Sequence, residues 1–257
     1  MTNVPTTFFG WVAFILKEYY PLFIRGIGVT LLVAITGTLI GFVLGLLVAV
    51  LRTIPEPKRK ITAVLIKAVK FLCVAYIEIF RGTPMIVQAM VIYYGIVQLL
   101  PIPPLAAAIF VISVNTGAYM AEIVRGGIIS VDKGQTEAAL SVGMTHWQIM
   151  TTVVLPQAIR NIMPSIGNEF VVNIKDSSVL NVISVSELYF MSKSAAGTYL
   201  RYFEVFFITA VIYFVLTFTV TRLLRLVEKK MDGPQNFAIH GSQSDVAESV
   251  AAMPKKK

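Results

Sequence analysis

From Gly26 to Leu51 the chain runs without a charged side chain, held between Arg25 and Arg52. A helix of that length crosses the hydrocarbon core of a bilayer. A second uncharged run, residues 205–221, is closed by Arg222 and Arg225. Composition agrees: 14% of the residues are charged and 56% are hydrophobic, whereas soluble domains carry about a quarter charged residues. The chain reads as an all-α membrane protein with several spans.

The remaining spans need more care. Residues 84–100 and 104–121 are uncharged and separated by Pro101-Ile102-Pro103-Pro104, while residues 61–80 contain Lys67, Lys70 and Glu78. Residues 162–183 are moderately apolar but hold Glu169, Lys175 and Asp176. Basic loops stay on the cytoplasmic side, which fixes the parity. Loop 52–60 (Arg52, Lys58, Arg59, Lys60), segment 125–160 (Arg125, Lys133, Arg160) and the tail after 221 all carry basic residues. They share one face only if 61–80 is an interfacial helix leading into a single span. Five transmembrane helices are therefore predicted: 26–51, about 80–100, 104–124, about 162–183 and 205–225. The N-terminus is expected outside and the C-terminus in the cytoplasm.

Residues 1–25 are expected to form an extracytoplasmic or interfacial segment, anchored by Phe8, Phe9 and Trp11. Residues 226–257, which end in Lys255-Lys256-Lys257, read as a cytoplasmic, disordered tail. The transmembrane domain is thus 26–225, with the loop 126–160 inside it. The net charge of +8 sits in clusters beside apolar runs. That pattern fits topology signals better than nucleic-acid binding. One cysteine, Cys73, makes neither an internal disulfide nor a thiolate metal cluster, and His146 and His240 are too few for a zinc site. No metal ligands and no cofactor bound by this chain are expected, and no catalytic residues.

The polar stretch between the third and fourth spans interrupts the apolar pattern. Asp132 with Gln135, and Thr145 with Gln148, have capping-box spacing. Gly143 stands where a helix ends in a left-handed residue, and Pro156 is expected to limit or kink the second helix. The segment reads as helix, sharp turn, helix: either an ordinary surface loop or a rigid handle on the spans.

Glu137-Ala138-Ala139, Gly143 and Leu155-Pro156 resemble the EAA loop of ABC importer permease subunits. Arg81-Gly82-Thr83-Pro84, Asn115-Thr116-Gly117-Ala118-Tyr119-Met120-Ala121-Glu122, Lys133-Gly134-Gln135 and Lys175-Asp176-Ser177-Ser178 narrow the resemblance to bacterial polar amino acid uptake permeases of the histidine and glutamine type. The resemblance spans roughly residues 20–232. It implies a type I importer permease whose hairpin, the coupling helix, sits in a groove of a cytoplasmic ABC ATPase subunit. ATP and Mg would bind that partner, since the sequence has no G-x-x-x-x-G-K-[ST] phosphate loop. A second permease copy or a sister permease, an extracytoplasmic solute-binding protein, an amino acid substrate and the lipid bilayer complete the implied partners. Glu137 would meet the ATPase, Ala138 and Ala139 would allow close approach, and Gly143 would make the turn.

Ionisable groups inside a membrane are costly and face a cavity or one another. Neither Glu169 nor Asp176 neutralises Lys175 along one helix, because the spacing sends Lys175 to a different side from each of them. They are candidates for a zwitterionic solute: Lys175 for its carboxylate, Glu169 or Asp176 for its ammonium, and Ser177, Ser178 and Asn181 for uncharged hydrogen bonds. The alternative is pairing with other spans. Gln88 and Asn115 either line the pathway or hydrogen-bond between helices, and Arg81 is expected to snorkel to the interface. Gly37, Gly41 and Gly45 form a smooth strip for close helix packing. The competing functional class is an ion-gradient-driven secondary transporter, against which the lack of an internal repeat weighs.

Overall fold

The computed structural model of the chain describes residues 5–55, 59–97 and 100–231. Every regular element among them is helical. In chain order these are α1 (Phe8–Thr53), α2 (Lys60–Gly82), α3 (Met85–Val97), α4 (Pro104–Ser130), α5 (Lys133–Ser141) and α6 (His146–Gln148). A π-helical turn, Ile149–Val154, joins α6 to α7 (Leu155–Asp176). A 3-10 segment, Ser177–Ile183, then leads to α8 (Leu188–Tyr199) and α9 (Tyr202–Met231). Among the described residues, three helices are long and apolar enough to cross a membrane: Phe8–Thr53, Pro104–Ser130 and Tyr202–Lys230.

The seam between α1 and α4 organises the bundle, and the glycine strip explains it. A Cβ at Gly37 would lie 2.4 Å from Ile112 Cγ2, one at Gly41 2.8 Å from Thr116 Cβ, and one at Gly45 2.4 Å from Met120 Cβ. No side chain fits at these points, so the two helices touch backbone to side chain at three successive positions, four residues apart. Buried polar groups then tie α7 to both. Asn173 donates through Nδ2 to Thr38 Oγ1 at 2.8 Å and accepts at Oδ1 from Thr116 Oγ1 at 3.0 Å. An ion pair joins Arg52 of α1 to Glu122 of α4, and Arg125 donates to the same carboxylate at 2.8 Å.

Several expected boundaries move. α1 does not begin at residue 26: it is one helix from Phe8, 46 residues long, continuing through Pro21 and Arg25. Trp11 and Ile15 are buried against α8 and α9, so residues 8–25 have tertiary contacts that a hydropathy boundary ignores. The second span is not a continuous helix. Thr83 precedes Pro84 and takes an extended conformation, φ −124° and ψ 144°, because a residue before proline is pushed out of the α region. Side chains recover the carbonyls freed there: Gln88 Nε2 donates to Phe80 O at 2.9 Å and to Thr83 O at 2.8 Å, and Thr83 Oγ1 donates to Ile79 O at 2.7 Å. At the other end, α9 continues through residue 231, so the helix includes positions 226–231, assigned to the tail from sequence. The remainder of that tail, 232–257, lies outside the described residues.

Candidate functional site

Two features stand out: a helical hairpin at one end of the bundle, and the polar residues of α7.

The hairpin forms for local reasons. Asp132 Oδ1 accepts from Gly134 N at 2.7 Å, an Asx-type cap rather than the reciprocal box its spacing suggested. Gly143 has φ +83°, the left-handed turn that favours glycine. Thr145 and Gln148 make the full capping box, with Thr145 N donating to Gln148 Oε1 at 2.8 Å and Gln148 N to Thr145 Oγ1 at 3.4 Å. Pro156 does not end the second helix. The π-helical turn widens the coil just ahead of it, and the helix runs on as α7. Proline brings no donor and crowds the carbonyl four residues back. Side chains take up the loosened carbonyls: Thr151 Oγ1 donates to Trp147 O at 2.9 Å, Thr152 Oγ1 to Gln148 O at 2.6 Å and Gln157 Nε2 to Val153 O at 2.8 Å.

One side of the hairpin is fixed to the spans. Val131, Ala139, Ile149, Met150, Val154 and Ala158 form a buried cluster, with Ile128 of α4 and Leu155 of α7 packed against it. The other side is bare. Glu137 and Ala138 are exposed, and Leu140, Val142 and Trp147 are 56%, 76% and 65% exposed. Of the residues predicted for coupling, Ala139 therefore anchors the hairpin, whereas Glu137 and Ala138 face outward. Leu155 and Pro156 form its junction with α7.

The predicted substrate residues separate into groups. Gln88 and Asn115 are buried and bonded to each other, Asn115 Nδ2 donating to Gln88 Oε1 at 2.9 Å. Ser177 Oγ donates to Ile174 O at 2.9 Å and Asn181 Nδ2 to Ser178 O at 2.7 Å, so both serve their own helical turn. Glu169 and Asp176 are two turns apart on one side of α7, and Glu169 lies within the field of Arg81 at the end of α2. Arg81 itself stacks over the Tyr119 ring at 5.4 Å. Lys175 and Ser178 project elsewhere. They line a cavity of about 300 Å³ together with Tyr189, Phe206, Thr209, Ala210 and Tyr213. Neither Glu169 nor Asp176 is among the residues that line this cavity. α7 carries cation and acids in different directions.

Residues 61–233 match the family described as the binding-protein-dependent transport system inner membrane component. The chain belongs to this family. Its relatives include the probable amino-acid permease protein YxeN of Bacillus subtilis (strain 168), 38% identical over 219 residues, with 84% of this chain and 93% of that one covered. The glutamine transport system permease protein GlnP of Escherichia coli (strain K12) is 35% identical over 214 residues, covering 82% and 93%. Among solved structures, an amino acid ABC transporter crystallised with histidines superposes with a TM-score of 0.76 at 39% identity, over 88% of this chain and all of that one. Both the hairpin and α7 lie inside the matched range of this inner membrane family. Membership makes the chain a multi-pass protein of the cytoplasmic membrane.

Sequence reading missed several residues that build this region. Glu187, fully buried, caps α8: its carboxylate accepts from Tyr189 N and Phe190 N, both at 2.7 Å, and from the Tyr213 hydroxyl at 3.1 Å. Asn173 ties three helices together. α8 itself went unassigned, because its buried face of Met191, Ser192, Ala195 and Ala196 has the helical period but little hydropathy.

Proposed function

We propose that this chain is the permease subunit of an ATP-driven ABC importer for a polar amino acid, with five spans, the N-terminus outside and the C-terminus in the cytoplasm. A second copy or a sister permease completes the pathway. A solute-binding protein delivers the substrate, and cytoplasmic ABC ATPase subunits bind ATP and Mg. The ion-driven alternative is not favoured, because the family works with binding proteins. The amino acid assignment rests on the names of the similar proteins, all of which concern amino acid transport.

The observation that carries the coupling role is the two-sided hairpin. Its inner side is packed onto α4 and α7, and on its outer side Glu137, Ala138, Leu140, Val142 and Trp147 are exposed among the described residues. An apolar tip of this kind is a docking surface. A rigid link behind it lets motion of the ATPase reach the spans. Within the membrane, the polar side chains left unbonded are those available to a solute. Lys175 and Ser178 offer the cavity a cation and a hydroxyl for a carboxylate. Glu169, which feels the charge of Arg81, and Asp176 line a separate stretch of the route.

Gly143→Asp tests the coupling. The variant is expected to remain in the membrane while uptake of labelled amino acid falls and ATP hydrolysis persists. Uptake equal to wild type would remove the hairpin from the mechanism.

A further inference from the structure

The cavity beside Lys175 has three aromatic walls, Tyr189, Phe206 and Tyr213, and a buried acid behind two of them. Glu187 does not itself line the cavity. Its Oε1 accepts from Phe190 N at 2.7 Å, while its Oε2 accepts from both Tyr189 N at 2.7 Å and Tyr213 Oη at 3.1 Å. The Tyr213 hydroxyl also meets Thr30 of α1 and Ser177 of the 3-10 segment. One carboxylate thus fixes the backbone from which Tyr189 projects and the far end of Tyr213.

The choice of residue is informative. An N-terminal cap needs only Ser, Thr, Asp or Asn, and glutamate is not a favoured type there. A fully buried carboxylate is also expensive at membrane depth. The longer, forked side chain adds one thing that a short cap lacks, a reach across to α9. Resting on the reading of the Lys175 cavity as a substrate site, we propose that Glu187 is a positioning residue for it. Glu187 holds Tyr189 and Tyr213 as aromatic walls against which the ammonium of an amino acid lies while Lys175 and Ser178 hold its carboxylate. Aromatic faces attract ammonium groups within about 6 Å of the ring centroid, and that contact is sensitive to ring placement.

The test is ligand affinity in the purified permease–ATPase complex without binding protein, titrated calorimetrically with glutamine and with histidine. Side-chain reach is the expected determinant. Glu187→Asp keeps a capping carboxylate but withdraws it from Tyr213, so the Kd of whichever probe binds weakens about tenfold. Tyr213→Phe, which retains the ring and loses only its tether, weakens binding as well. A purely capping role would leave Glu187→Asp at wild-type affinity, and that result overturns the proposal. If Glu187→Asp does not assemble, Tyr213→Phe decides alone, and wild-type affinity there overturns it equally. Lys175→Ala separates the two levels. Weakened binding there with normal Glu187→Asp discards only the positioning role. Wild-type affinity in Lys175→Ala, or no saturable binding of either probe to the wild type, discards the cavity as a substrate site and the proposal with it.

Discussion

A Cβ added at Gly45 would lie 2.4 Å from Met120 Cβ, 2.7 Å from Ala121 N and 2.8 Å from Met120 C, against 3.4 Å for the near edge of ordinary contact. Two of these atoms are α4 backbone, so no rotamer change relieves the clash, and Gly45→Ala must part α1 from α4 by about 1 Å. Overpacking of this kind costs ~1–3 kcal/mol. The substitution also gains helix propensity, up to about 1 kcal/mol, which blurs a measurement made on one variant. Gly28 removes the ambiguity. It lies in the same helix, and a Cβ there meets nothing within 4 Å, so Gly28→Ala collects the propensity gain alone. The difference between the two variants isolates the steric cost. At roughly 2–4 °C per kcal/mol for a chain of this size, Gly45→Ala should melt about 2–12 °C below Gly28→Ala. Thermal unfolding of the detergent-purified protein, followed by size exclusion after heating, reads this directly. Equal melting temperatures for the two alanine variants would show that α1 and α4 are not in contact at Gly45, and the packing described here would be wrong.

Other expectations follow from single contacts. Trp147→Ala removes an exposed ring, 65% accessible, so the melting temperature of the isolated permease should stay within about 1 °C, surface changes being nearly neutral, while co-purification of the ATPase falls. An unchanged yield of the complex counts against the docking surface. Asn173→Leu strands the Thr116 hydroxyl in the α1–α4–α7 network and should cost ~1–2 kcal/mol. Thr116→Val added to it should cost little more, because the pair has already been broken; additive losses in melting temperature would refute the shared network. Glu122→Gln leaves Arg52 and Arg125 facing each other without a counter-charge. Both ion pairs are only partly buried, so a loss of about 1 kcal/mol is expected, read as a small fall in melting temperature relative to wild type at low salt.

What was legible in the sequence was whatever one dimension encodes. The uncharged runs around Gly26–Leu51, 104–121 and 205–221 each fall within a long apolar helix, because apolarity over a bilayer's thickness is a local property. The hairpin turn was legible because Gly143 and the Thr145–Gln148 box act over three residues. The break at Thr83-Pro84 follows from the effect of proline on the residue before it, but its severity depends on Gln88 reaching back to satisfy Phe80 and Thr83, a contact that spacing alone does not reveal. The start of α1 was hidden because Lys17, Glu18 and Arg25 interrupt the apolar pattern. A charge on an exposed helix face does not end a helix. For the site, residue types pointed to α7 but not to directions. Ser177, Asn181, Gln88 and Asn115 are consumed by bonds within the chain, and Glu187 carries no signature beyond standing before an apolar segment.

The hairpin and the cavity lie at opposite ends of one rod. α7 has 22 residues, roughly 33 Å at 1.5 Å per residue, with the hairpin cluster packed on its first turns and Lys175 near its last. α4 is tied to α7 at successive heights: Asn161 Nδ2 donates to Ser130 Oγ at 3.1 Å, Gly127 sits directly against Ile162, and Thr116 bonds Asn173. A shear of α4 along α7 would break all of these together, and the glycine seam passes the same constraint on to α1. On the proposed coupling role, a push delivered at Trp147 and Val142 would move α1, α4 and α7 together, since the ties to α4 lie on both sides of Pro164 inside α7. Tyr213 and Phe206 of α9 complete the cavity from outside that body. α9 meets α7 just past its midpoint through Leu224 against Gly167, and the cavity opens beyond that contact. On the proposed reading, the distance between Lys175 and the rings of α9 is the quantity that ATP-driven motion would alter, which is a physical route from a cytoplasmic grip to the release of a solute at the other end.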